Sequence, residues 1–277
     1  MTVHGSKLLI GTSMAILLAA CGSETHETHE ADWGYEGEGA PAHWGSLSPD
    51  FATCDSGVEQ SPIDLVNAVP IETAGIERRL GESVLTIEQR ARVMDIFDNG
   101  HTVQISNDAP VSIELGETLY ELAQFHFHAP SEHTIDGQHS PLEVHYVHKS
   151  AAGELAVVGM LVEEGAHNTM LDAVLAAFPD EPGGRRHVEN LDLDMNELRP
   201  IPQNFYRYKG SLTTPPCSEG VHWIVMADIW QISPEQMSKV VSYLHNNNRP
   251  VQPLGERQIG MVNHDQPMID TAEPDSH

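Results

Sequence analysis

The sequence predicts an α+β fold in which a mostly antiparallel sheet carries a few peripheral helices. Three observations lead there. From Leu85 to Val162, short apolar runs alternate with turn residues, the pattern of strands that bury one face. Within that stretch, Asp98-Asn99-Gly100 closes one run just before the next begins, a hairpin signal that makes neighbours antiparallel. Two later segments carry helix signals instead.

The elements follow in chain order. Leu8 to Ala20 is an apolar run behind Lys7, too short to span a membrane and right for a signal peptide over residues 1–20. Leu18-Ala19-Ala20-Cys21 resembles the bacterial lipoprotein cleavage box, so Cys21 is the expected lipidation site. An ordinary signal peptide with an incidental cysteine is the other reading. Either way the protein is exported; with the lipid it sits on the periplasmic side, tethered to a membrane it does not cross. Residues 21–31 are polar and read as a flexible linker. His26 and His29 beside their glutamates could collect metal ions, but a solvated linker accounts for them. Strands are expected at Arg92 to Phe97, His101 to Ile105, Val111 to Leu115, Glu121 to His128, Leu142 to His148, Leu155 to Val162 and Val221 to Ile229. Asn168 to Phe178 has apolar residues near helical spacing and stops before Pro179. Ser233-Pro234 starts a second helix, with a serine cap and a proline in the first turn, running to Leu244. Residues 32–270 form the expected domain, and 271–277 a disordered tail.

Composition excludes some partners. With 14 Lys and Arg against 41 Asp and Glu, the net charge is -27. Such a chain repels nucleic acid, so none is expected as partner. The same charge keeps the domain soluble and away from anionic lipid surfaces.

The chemistry is concentrated in two strands. Side chains two apart on a strand share a face, so His126 and His128 point one way and Phe125 and Phe127 the other. If the Leu142–His148 segment pairs alongside, His145 joins them. Three imidazoles on one rigid face form an open zinc site with a fourth position for water. Gln124 and Glu143 each precede a histidine by two residues, where an amide or carboxylate can orient the ring. A merely polar sheet face is the bland alternative for His-x-His alone.

The ordered set of motifs resembles the alpha-class carbonic anhydrases of bacterial type. It runs from Trp33-Gly34-Tyr35 through Gln60-Ser61-Pro62-Ile63, Asn99-Gly100-His101, Gln124 to His128, Ser131-Glu132-His133-Thr134 and Glu143-Val144-His145. It continues through Gly210 to Pro216 and Trp223-Ile224-Val225 to Asn248-Arg249-Pro250. The resemblance implies a large twisted central sheet in one α+β domain. It also implies one zinc ion on His126, His128 and His145, and reversible hydration of carbon dioxide to bicarbonate and a proton through zinc-bound hydroxide. The three-histidine site and its water pKa of about 7 are those of carbonic anhydrase itself, not figures deduced from this sequence.

Further roles are implied residue by residue. Thr213 matches the threonine that accepts a hydrogen bond from the hydroxide, and Glu132 the buried carboxylate that takes the threonine proton. Thr214 is a further contact for bicarbonate. Val147, Val157, Leu212, Val221 and Trp223 match the apolar lining that a small uncharged substrate needs. His101 matches the proton shuttle, a role suited to an imidazole titrating near neutrality. Tyr35, Asn99 and Gln104 match positions that order water between shuttle and metal, and Gln104 departs from the commoner asparagine. His133 and His148 match structural histidines; His139, His167, His187 and His245 have no companion at ligand spacing. Apart from Cys21 the chain has only Cys54 and Cys217, an even pair that reads as a disulfide in an exported protein, two buried thiols being the alternative. The resemblance implies that they pair, and that the protein is a homodimer. A domain that has lost its zinc to become a binding module, or a metal-storing lipoprotein, are the competing readings. The full ligand set argues against the first.

Overall fold

The computed structural model describes residues 32–71, 90–198 and 204–263. The expected leader, Cys21, the linker and the tail lie outside these residues, as does the start of the alternating stretch at Leu85.

A twelve-stranded sheet dominates. Across it lie Val69–Pro70, Gly260–Asn263, Asn204–Ser211, Glu219–Met226, Leu155–Glu164, Leu142–Ser150, Thr118–His128, Val103–Asn107, Met94–Asp98 and Arg185–Val188. Ser112–Leu115 pairs with Thr118–His128, and Trp230–Ile232 with Leu155–Glu164. Most pairings are antiparallel, as expected. The sheet is nevertheless mixed, because Leu155–Glu164 runs parallel to both Glu219–Met226 and Trp230–Ile232, and Val69–Pro70 runs parallel to Gly260–Asn263. Parallel neighbours come from connections distant in sequence, which no local turn announces.

Local departures have local causes. The hairpin after Met94–Asp98 turns through Asn99, whose Oδ1 accepts the backbone N–H groups of His101 and Thr102. His101 therefore sits in the turn, and the next strand begins at Val103 instead. The expected strand Val221 to Ile229 instead spans Glu219–Met226, and a separate short strand, Trp230–Ile232, follows it and pairs with a later stretch of the same neighbour, Leu155–Glu164. The helix after Ser233 ends at Val241 rather than Leu244. Its start is a capping box, with Ser233 Oγ accepting from Gln236 N and Gln236 Oε1 accepting from Ser233 N. The other expected helix spans Thr169–Ala176, capped by Asn168. No helix among the described residues is long and apolar enough to cross a membrane.

Alternation divides the sheet into two differently packed faces. Phe125, Phe127, Val144, Tyr146, Val158 and Met160 enter the larger core, where the Phe125 and Tyr146 rings stack at 5.2 Å. Each such side chain removed from water is worth about 1.5–3 kcal/mol, which ties the central strands down. Val157, Tyr208, Val221, Trp223 and Val225 form a second apolar cluster, with Val147 and Leu212 packed against it. A disulfide joins Cys54 to Cys217, 163 residues apart, in a buried pocket with Trp44.

Candidate metal centre

The central pair of strands fixes three histidines by register. His126 lies directly opposite His145, and His128 opposite Glu143. The ring centroids are 5.0 Å apart for His126 and His128, 5.4 Å for His126 and His145, and 4.5 Å for His128 and His145. One ligand atom from each of the three lies within 4.8 Å of the others. His128 and His145 are buried, and His126 is partly exposed, so the cluster opens on its side.

One nitrogen of each ring is already engaged. His126 Nδ1 meets Gln124 Oε1 at 2.8 Å, His128 Nδ1 meets the Asn247 carbonyl at 2.7 Å, and His145 Nε2 meets Glu143 Oε1 at 2.8 Å. Each acceptor selects the tautomer that bares the other nitrogen: Nε2 of His126, Nε2 of His128 and Nδ1 of His145. His128 Nε2 is buried with no hydrogen-bond partner among the described residues. Burying a polar atom so is costly unless something binds it. Three neutral imidazole donors with an orphaned buried nitrogen among them fit a zinc ion, which favours such a donor set.

Electrostatics keep the rings neutral. Burial lowers all three pKa values; for His126 the two neighbouring rings lower it further, well below the ordinary value. The Asn247 carbonyl opposes this at His128, and Glu143 opposes it at His145. Glu143 is itself fully buried. Burial alone would raise its pKa, but His133 and His145 hold it well below the ordinary carboxylate range. Its Oε2 also accepts the backbone N–H groups of Glu132 and His133, and Oε1 meets His133 Nδ1 at 2.7 Å. His133 Nε2 then meets Tyr208 Oη at 2.7 Å.

Glu132 stands beside the cluster, fully buried. Its Oε1 accepts Arg249 N–H at 2.8 Å. Its Oε2 lies 3.7 Å from His128 Nε2 and 3.8 Å from His145 Nδ1, with no hydrogen-bond partner among the described residues. Burial pushes its carboxyl up to about 7, against the lowering influence of His145, Arg249 and Thr213. Thr213 is thus close enough to act on Glu132, although no hydrogen bond between them closes at ordinary length.

The apolar residues lie on the histidine face. Val147 pairs with Gln124 and with Val157, and Val157 pairs with Trp223. The Trp223 ring meets His145 at 4.8 Å. Gly159, opposite His145, is required here: a Cβ would stand 2.9 Å from Glu143 Oε1. Leu212 and Thr214 are partly exposed beside the buried Thr213. Gln104 lies opposite His126 on the adjacent strand.

His101 stands apart from the cluster, stacked on Trp33 at 3.8 Å with rings nearly parallel. Burial lowers its pKa, and Asp32 and Asp98 pull the other way. Tyr35 packs edge-on to His101, its pKa raised well above the ordinary value by burial and by Glu132. Asn99 spends its Oδ1 on the turn. The structure thus brings together the three histidines, Gln124, Glu143, Glu132, Thr213 and the apolar wall.

Sequence reasoning gave no role to Asn247, Arg249 or Tyr208. Asn247 is 1 % exposed and joins both regions: its carbonyl meets His128, and its side-chain amide donates to the carbonyls of His101 and Phe127. The Arg249 guanidinium is buried on Gln60 Oε1 and the carbonyls of Ser61 and Cys54. The signal was present in Asn248-Arg249-Pro250, but backbone contacts leave no mark on residue type.

Comparison with known proteins follows the same outline. The sequence profile of the family described as eukaryotic-type carbonic anhydrase matches residues 39–263. A carbonic anhydrase of Pectobacterium atrosepticum is 40 % identical over 248 residues, covering 89 % of this chain and 97 % of its own length. A carbonic anhydrase of Nostoc sp. is 36 % identical over 261 residues, covering 93 % and 97 %. The alpha-carbonic anhydrase of Thermovibrio ammonificans, solved with the inhibitor sulfanilamide, superposes with a TM-score of 0.75 at 39 % identity, covering 83 % of this chain and 99 % of that one.

Proposed function

The chain belongs to the eukaryotic-type, or alpha, carbonic anhydrase family of lyases, and from that premise we propose that His126, His128 and His145 hold one zinc ion at which carbon dioxide is reversibly hydrated. The observation that carries this reading is the convergence of three bared imidazole nitrogens, one of them buried and without a partner among the described residues. Zinc, when bound, supplies a Lewis acid that makes hydroxide available near neutral pH.

The chain's own residues do the rest. Gln124, Asn247 and Glu143 lock the three rings in the tautomers that present lone pairs. The Thr213 hydroxyl donates its proton toward Glu132, so the threonine oxygen is left as an acceptor that orients the attacking oxygen. Glu132 can take that role because Arg249 N–H fixes its other oxygen. Val147, Val157, Leu212, Val221 and Trp223 offer carbon dioxide an apolar wall and exclude competing water. Thr214 contacts bicarbonate. His101 carries the proton outward, with Tyr35, Asn99 and Gln104 ordering the water between. Export with a lipid on Cys21, to the periplasmic side, and assembly as a homodimer complete the reading.

Two tests address it. His145→Ala should lose zinc and hydration together; zinc retained at one per chain would mean a different ligand set. Sulfanilamide, which the Thermovibrio ammonificans enzyme binds as an inhibitor, should inhibit this protein and compete with other anions for the same site. Hydration insensitive to it would count against the shared centre.

A further inference from the structure

We propose that Arg207, Lys209 and His222 form an oxyanion site, separate from the histidine cluster, that takes a small phosphate group. The site goes beyond the hydration reading and does not depend on it.

Strand register assembles the three. Arg207 and Lys209 are two residues apart on Asn204–Ser211, so they share a face at a spacing of roughly 7 Å. His222 lies directly opposite Lys209, and Ile224 opposite Arg207. Ile224 belongs to the larger core, whereas Trp223 between them turns to the histidine cluster. Arg207, Lys209 and His222 therefore stand on the sheet face away from that cluster. Arg207 and His222 are half-buried there, and Lys209 is exposed. Fully buried Ala156 pairs with His222 and forms the floor. Tyr120, 2 % exposed, closes one side, its ring edge-on to His222 at 6.2 Å.

The charges at this place favour an anion. The whole chain has 14 lysines and arginines against 41 carboxylates, yet two cations gather here. Among the described residues, neither the Arg207 guanidinium nor the Lys209 ammonium makes a hydrogen bond or ion pair. Burial lowers the His222 pKa, and Lys209 and Arg207 lower it further, against Glu154. Burial and Glu154 raise the Tyr120 pKa, and Arg207 opposes them. Glu154 is itself engaged by the Tyr120 hydroxyl, which meets its Oε2 at 3.5 Å. At neutral pH His222 is uncharged and offers one ring N–H. A guanidinium fork, an ammonium and that N–H are convergent donors for the oxygens of a phosphate. The net charge of -27 repels an anionic lipid surface as a whole, so a free phosphate group is the better fit.

The test follows the His222 ring resonances by NMR in zinc-loaded, histidine-labelled protein, assigned with His222→Gln. Inorganic phosphate is titrated in against chloride at equal ionic strength. The readout is local, so an anion that reaches the zinc does not register. Phosphate should shift His222 saturably, and chloride should not. Arg207→Gln with Lys209→Gln should weaken phosphate binding about tenfold, from two charges removed at roughly 6 Å in water. Lys209→Gln alone, an exposed change, should weaken it about threefold on the same arithmetic and serves if the double variant does not fold. An equal response to chloride, or unaltered affinity in the variants, overturns the site. Sedimentation with phosphatidylglycerol and with phosphatidylcholine vesicles separates the two sources of the phosphate group. Wild type left in solution by both, with His222 still responding to phosphate, is the expected result. Sedimentation with the first alone, lost in the variant, overturns a free ligand in favour of a lipid headgroup.

Discussion

Gln124, Glu143 and Asn247 each hold one ring of the histidine cluster, and each does so by a single hydrogen bond of 2.7–2.8 Å. Gln124 lies beside the most exposed of the three rings, so it is the safest to change. Gln124→Ala should lower zinc affinity about 10- to 100-fold, the usual cost of losing such a partner, as read by competition with a chelator. Unaltered affinity would mean that packing alone orients His126. His101 has a different signature, because it stacks on Trp33 rather than on any of the three histidines. His101→Ala should keep zinc at one per chain and lose turnover in weak buffer, with imidazole-type buffers restoring it. Unchanged turnover in weak buffer would remove His101 from proton transfer.

At the scale of elements, the site depends on two strands in register and on one glycine beneath them. Gly159→Ala sets a methyl 2.9 Å from Glu143 Oε1. It should cost about 1–3 kcal/mol of stability and weaken zinc binding by displacing Glu143 from His145. Denaturant midpoints and chelator competition measure the two effects separately. The disulfide closes a loop of 163 residues, worth about 5 kcal/mol at most on the chain-entropy model. Denaturation with and without reductant should show a loss approaching that size. These dependences explain what could be read in advance. His126, His128 and His145 were legible because strand alternation turns spacing into direction, and Gln124 and Glu143 follow by the same rule. The carbonyl of Asn247 and the N–H of Arg249 were not, since any residue type supplies them. The parallel neighbours of Leu155–Glu164 come from segments more than fifty residues later, and nothing local encodes that choice. The turn holding His101 was signalled by Asp98-Asn99-Gly100, but its stacking on Trp33 joins segments far apart in sequence.

At the scale of the whole molecule, the buried histidines impose a pH dependence. In the metal-free protein His126, His128 and His145 have pKa values below the ordinary 6.5. Below about pH 6.5 the unfolded chain therefore binds protons that the folded protein refuses, and stability present above that pH is lost as acidity rises. Glu143, held below the ordinary carboxylate range, adds a loss of the same sign from about pH 4.5 downward. Glu132, pushed up to about 7, acts oppositely between its ordinary 4.5 and 7, but it is one group against three. The melting temperature of the chelator-stripped protein should thus fall from pH 7 to pH 5; a flat profile would contradict the burial of the ligand set. The molecule's net charge of -27 adds a separate, salt-sensitive self-repulsion, which is strongest at high pH. The most direct measurement of the central claim is stopped-flow carbon dioxide hydration by the purified protein, zinc-loaded, then stripped, then reloaded. Fast hydration that vanishes with the metal and returns with it is the predicted result. No hydration despite one zinc bound per chain would contradict it.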